Sequence, residues 1–246
     1  LCLNEEGPTM KKTILFILIF FSFHVFAFAS TEKELFDEGI RLFKKNQYQQ
    51  AVDAFTKFIE ISPDNAYAYK NRGVSYMKQN KFDLTLEDLD KARMLDPKLT
   101  GLYNNLGIVW YSKKEYERAI ENYNIEIELS PENHVPYFNK ALCLTKINRD
   151  EEAIDNLSET IRLKPDFYTA IWYKADLLAK TGKIAEAKKS YIAAIKQDPS
   201  NNLAKDKLAR LNKITSKTIT AEQTAEAEQT AEAEVMIELT AEIEAE

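Results

Sequence analysis

Apolar and polar positions along the chain fall into blocks that recur. In the block from Ala66 to Leu99, large apolar residues stand at Tyr69, Tyr76 and Leu89, with Gly73 and Thr85 as the small or short residues among them. Spacings of three, four and seven are those of one face of an α-helix. Polar breaks such as "KNQ", "KQN" and "KTGK" fall midway through each block, and a proline follows the second helical pattern, which it cannot continue. Each block therefore predicts a helix hairpin.

The prolines set the period. Pro63, Pro97, Pro131, Pro165 and Pro199 are 34 residues apart each time, without insertion or deletion. A fixed period of that size means a repeat array rather than one globular core. With Glu32 as position 1, position 8 is Gly39, Gly73, Gly107, Ala141 and Ala175, and position 20 is Ala51, Thr85, Ala119, Ala153 and Ala187. Small residues there suit a close crossing of the two helices of a hairpin.

An aromatic near position 4, Gly or Ala at 8, an aromatic or Leu at 11, Ala at 20, an aromatic at 24 and Pro at 32 resemble the tetratricopeptide repeat. The resemblance assigns five repeats, at 32–65, 66–99, 100–133, 134–167 and 168–201, about two thirds of the chain. Its departures are Thr85 at position 20 and Leu35 and Ile171 at position 4. It implies an all-α, right-handed superhelical solenoid of five 34-residue hairpins. Stacked hairpins share a core that one alone cannot bury. Residues 202–213, with Ala204, Leu208 and Leu211 on one face, are expected to form a C-terminal capping helix.

The two ends read differently. Met10 to Ala29 has two lysines, an apolar run and Ala27-Phe28-Ala29 before Ser30, the layout of a signal peptide cleaved after Ala29. The protein is then exported, periplasmic or secreted, with no stable membrane insertion after cleavage; the alternative is an inner-membrane anchor formed by an uncleaved signal. Leu1 to Thr9 is expected to be a non-native upstream extension. Residues 214–246 form an acidic, low-complexity tail with "TAEAEQ" copies. The net charge of −6 belongs to that tail: Lys217 to Glu246 carries −8, leaving Ser30 to Ser216 at about +2. The tail is expected to be solvated, with a contact to the repeat groove as a further expectation.

Little in the chain suits catalysis. After cleavage Cys143 and His134 are the last Cys and His, so an intramolecular disulfide is excluded; Cys143 reads as a packed small hydrophobe and His134 as a capping or surface residue. Neither a P-loop nor a GxGxxG is present. No enzymatic activity, cofactor, metal or nucleic-acid partner is expected.

The chemistry is expected on the first helix of each hairpin. Positions 2, 5, 6, 9, 12 and 13 fall on one arc, opposite 4, 8 and 11. In the family this arc lines a concave groove for extended peptides or partner helices. Position 6 is Asn71, Asn105 and Asn139, then Tyr173. An amide both donates and accepts, so such a row can pair with an extended backbone, as in the asparagine ladder of some family members, or it can bond neighbouring helices and stabilise the stack; both readings stay open. Position 13 is Lys44, Lys78, Lys146 and Lys180, interrupted by Ser112, and as a row favours a negatively charged ligand. Phe36, Tyr67, Met77, Tyr111, Phe138 and Trp172, with Ile40, Phe43, Val74, Ile108 and Leu142, supply an apolar floor and edge. The two-carboxylate clamp of chaperone-binding members is not supported, since Phe36 and Ile40 stand where it needs Lys and Asn. The expectation is a scaffold or adaptor for a protein or peptide in the bacterial envelope; its rivals are an accessory glycan-binding or enzyme-associated subunit and a self-assembling array.

Overall fold

The computed structural model describes residues 32–200, 202–213 and 215–216. The expected upstream extension, the signal peptide and the tail beyond Ser216 lie outside them. The described residues form helices and turns with no strand. In chain order the helices are α1 (32–44), α2 (Tyr48–Ile61), α3 (Ala66–Lys78), α4 (Phe82–Leu95), α5 (Leu102–Ser112), α6 (Tyr116–Leu129), α7 (His134–Lys146), α8 (Asp150–Leu163), α9 (Tyr168–Lys180), α10 (Ile184–Gln197) and α11 (202–213). They divide into two compact units, one ending at Pro131 and one beginning at Glu132.

The turn inside each hairpin has one construction, five times over. Asn46, Asn80, Lys114, Asn148 and Gly182, all at position 15, take positive φ between 58° and 80°. Each N–H there returns to the carbonyl of position 12, and the next N–H to that of position 11, as in Gln47 to Leu42 at 3.0 Å and Lys183 to Leu178 at 2.8 Å. This paired closure satisfies the carbonyls a helix end leaves open. It explains the polar breaks: Asn and Gly tolerate the left-handed conformation that most side chains resist.

Small residues then set how closely the helices cross. A Cβ on Gly39 would lie 2.6 Å from the Phe55 ring, and one on Gly107 would lie 2.5 Å from that of Tyr123. The ring at position 24 thus presses on the backbone at position 8. Position 20 is fully buried in every hairpin, including Thr85, whose hydroxyl donates to the Lys81 carbonyl at 2.9 Å and so costs no unsatisfied group.

In the first unit, helices neighbouring in sequence pack on each other from α2 to α6. One core cluster joins Leu89, Ala92, Leu102, Leu106 and Val109, and a second gathers Phe58, Ile59 and Ala68. In the second unit α7 to α10 pack the same way. There α11 attaches through Lys207, which donates to Asp176, and beyond its end Thr215 accepts from Lys188 of α10 at 2.6 Å. Ala204 and Leu211 of α11 are buried, whereas Lys205, Ala209 and Asn212 are exposed at the places where a following second helix would pack.

Helices also link from one hairpin to the next through residues about one period apart. Lys113 meets Asp83 at 3.0 Å, Lys81 meets Gln49 at 3.2 Å, and Lys183 meets Glu151. A lysine of one turn reaches the start of the preceding second helix.

Candidate functional site

In the first unit the expected arc lies on α1, α3 and α5. Asn71 and Asn105 are half-buried, and among the described residues neither amide side chain has a hydrogen-bond partner. Lys44 and Lys78 are exposed. Phe36 and Tyr67 line a cleft of about 390 Å³ together with Phe58. Met77 packs against the larger core cluster, and Tyr111 meets Tyr116 edge-on at 5.6 Å across its own turn, as Phe43 meets Tyr48 at 5.5 Å. Position 12 therefore helps fasten the hairpin turn.

In the second unit the arc lies on α7 and α9. Asn139 and Tyr173 are half-buried, and Lys146 is exposed. Phe138 makes edge contacts with Phe167 at 4.9 Å and Tyr173 at 5.9 Å, and Trp172 stacks on Tyr173 at 4.5 Å. Lys180 is committed: its ammonium lies 2.6 Å from Asp150. The cause is local, because position 17 of the preceding repeat is Asp150, whereas it is Tyr48, Phe82 and Tyr116 in the repeats before that one. Cys143 is fully buried. Asn133, not His134, caps α7, accepting from Val135 N–H at 3.1 Å; His134 stands edge-on to Phe167 at 5.4 Å. Burial, with Lys164 nearby, holds that imidazole below its ordinary pKa.

Profiles of known families match this architecture directly. The profile described as TPR repeat matches residues 39–80, and two described as tetratricopeptide repeat match 66–99 and 170–201. These stretches are tetratricopeptide repeats. Solved structures share the fold. The pilF protein of Pseudomonas aeruginosa is 22% identical with a TM-score of 0.68, covering 80% of this chain and 90% of its own. A MamA protein is 23% identical with a TM-score of 0.61, covering 71% and 95%. YrrB, described as a TPR protein with an unusual peptide-binding site, is 20% identical with a TM-score of 0.59, covering 72% and 95%. No curated protein matches the chain.

Three polar groupings in these tetratricopeptide repeats were not anticipated from the sequence. Arg72 of α3 grips Asp88 of α4 with two bonds, of 2.9 and 2.7 Å, and reaches Thr56 of α2 at 3.1 Å. Burial pushes the Asp88 carboxyl above the ordinary carboxylate range against the pull of Arg72, while the bond to Asp88 holds Arg72 higher still. Glu126 of α6, fully buried, accepts from the N–H groups of Gly101 at 2.8 Å and Asn104 at 3.2 Å and so caps α5. Beside it Lys70, at groove position 5, donates to the Thr100 carbonyl at 3.0 Å and lies over the Tyr67 ring at 5.1 Å. Its pKa is lowered by burial, with Glu126 opposing. Asp176 stands at position 9, which is apolar in the other repeats, and accepts from Tyr191 and Lys207. Burial, then that bond, pushes the Tyr191 phenol well up. Lys207 also lies 4.9 Å from the centre of the Trp172 ring. Each grouping announces itself only as a break from the period, which marks a difference without naming the partner.

Among the described residues no cluster of three or more His, Cys, Asp or Glu could hold a metal ion, and no helix is long and apolar enough to cross a membrane.

Proposed function

We propose that the chain is an interaction scaffold that holds an extended peptide or partner helix against the first-helix face of its repeats. The observation that carries this reading is the state of Asn71 and Asn105: half-buried amides in matching places on α3 and α5, their side chains without partners among the described residues. Each amide keeps a donor and an acceptor open to a ligand. A peptide backbone would supply both the donor and the acceptor each lacks. Asn139 stands in the same place on α7. YrrB, of similar fold, is described as having a peptide-binding site. The glycan-binding alternative gains nothing from Trp172, whose ring is already engaged by Tyr173 and Lys207.

The Met10–Ala29 run supports export and work in the bacterial envelope. The acidic tail would compete for the groove beside Lys146, with Lys180 contributing less because Asp150 holds it.

The test is replacement of Asn71, Asn105 and Asn139 by Ala. Partner affinity should fall by about 1–3 kcal/mol, at roughly 0.5–1.5 kcal/mol for each hydrogen bond lost, with the thermal midpoint little changed. A fall in midpoint without loss of affinity assigns the asparagines to the stack. In the same titration a chain ending at Lys213 should bind more tightly than the full chain at low salt and equally at high salt, where screening shortens to a few ångströms, ~3 Å at 1 M.

A further inference from the structure

The cleft at the start of the first unit has a chemistry of its own. Its floor is Phe36, whose ring meets those of Phe55 at 5.7 Å and Phe58 at 5.2 Å edge-on, and one wall is Tyr67, 53% exposed. At about 390 Å³ it lies at the small end of the roughly 300–1,000 Å³ that ligand pockets span, room for a side chain or two rather than a whole helix.

The rim is acidic. Residues 32–38 hold four acids against one lysine, Lys33. Three of the acids have local explanations. Glu32 accepts from the Ser62 hydroxyl, and Glu34 is engaged as well. Glu38 pairs with Arg41 at 2.5 Å. Asp37 has no such explanation. It lines the cleft, is exposed and has no ion-pair partner among the described residues. It also occupies position 6, where the next three repeats carry the row of asparagines. In place of an amide that could pair with any backbone, the first repeat presents a charge that selects.

We propose that this cleft is an anchor subsite of the groove, taking an apolar side chain of an extended peptide that carries a Lys or Arg within two residues of it. The apolar group fills the space between Phe36 and Tyr67, the cation meets Asp37, and the backbone runs on toward Asn71 and Asn105 of the same unit. The inference rests on the groove reading and narrows it, since the lysine row alone favours a negatively charged ligand.

The experiment is a positional-scanning hexapeptide library bound to the full chain and to its Asp37→Lys and Phe36→Ala variants. The full chain should enrich an apolar residue with Lys or Arg within two positions. Asp37→Lys changes only an exposed side chain, so it should leave the thermal midpoint alone and switch the charged preference to Asp or Glu, weakening a selected basic peptide about tenfold. Phe36→Ala should weaken the same peptide about 10- to 30-fold, the loss expected of a buried anchor. Peptides that bind through the asparagines without any apolar-basic preference, or whose selection ignores Asp37→Lys, overturn the subsite and leave the groove standing. That outcome also follows if a second copy or the chain's own preceding residues fill the cleft. A library that does not bind at all overturns both.

Discussion

Arg72 and Asp88 show how much one pair can decide. Their side chains are 18% and 5% exposed, so the attraction works in a low-dielectric setting and so does the desolvation of each charge. Removing one partner strands the other. Arg72→Leu should cost about 3–5 kcal/mol at neutral pH, the usual penalty for an uncompensated buried charge. Its pH dependence has a definite sign. Burial already holds the Asp88 carboxyl above its unfolded value, and without Arg72 it rises further. A raised folded pKa means the native state binds the proton more tightly than the unfolded chain, so that contribution is present at low pH and is lost as pH rises through the folded value. Denaturant unfolding of the variant should therefore show stability recovering as pH falls from 7 toward 5. A deficit independent of pH would show that Asp88 is not the stranded group. At this scale the sequence was least legible: Arg72 and Asp88 are 16 residues apart on different helices, and neither names the other as its partner.

At the scale of the helix, the first helices differ in how they begin, and α9, which follows Phe167, has no side-chain cap. Asn65 caps α3 and Asn133 caps α7, whereas α5 begins after Gly101, which offers no side chain. The carboxylate comes instead from Glu126, at position 27, where the other repeats have Phe58, Ala92, Thr160 and Ala194. Glu126→Ala should lose about 2–3 kcal/mol, the sum expected for a lost cap and charge-assisted bonds in a buried place. The Gly101 and Asn104 amides, which it now holds, should exchange with solvent faster. Unchanged protection at those two amides would mean that another group caps α5. The helices themselves were legible because their apolar spacing repeats with one period. Even the polar breaks marked the turns, although only the backbone shows that Asn46, Asn80, Asn148 and Gly182 are there to take positive φ, with Lys114 doing so despite its side chain.

At the scale of the molecule, the period carried the architecture and its breaks carried the individuality. The candidate groove residues stand on the first helices of each unit, but Lys180 had to be seen beside Asp150, and Trp172 beside Lys207, before their contacts were clear. Such pairs join residues about 30 apart, and nothing in either residue names its partner.

The turn at position 15 has a consequence for how such a chain can change over evolutionary time. Its two bonds run from positions 15 and 16 to positions 12 and 11, all inside one repeat, and the end of each second helix likewise closes on a carbonyl four residues back. Every repeat thus brings its own punctuation. A duplication or deletion of 34 residues restores each turn intact wherever the breakpoint falls in the period, whereas a change of any other length moves the small residue at position 8 off the ring at position 24. Growth and loss in whole repeats are the cheap mutations for this fold, and five uninterrupted periods are the record such steps leave.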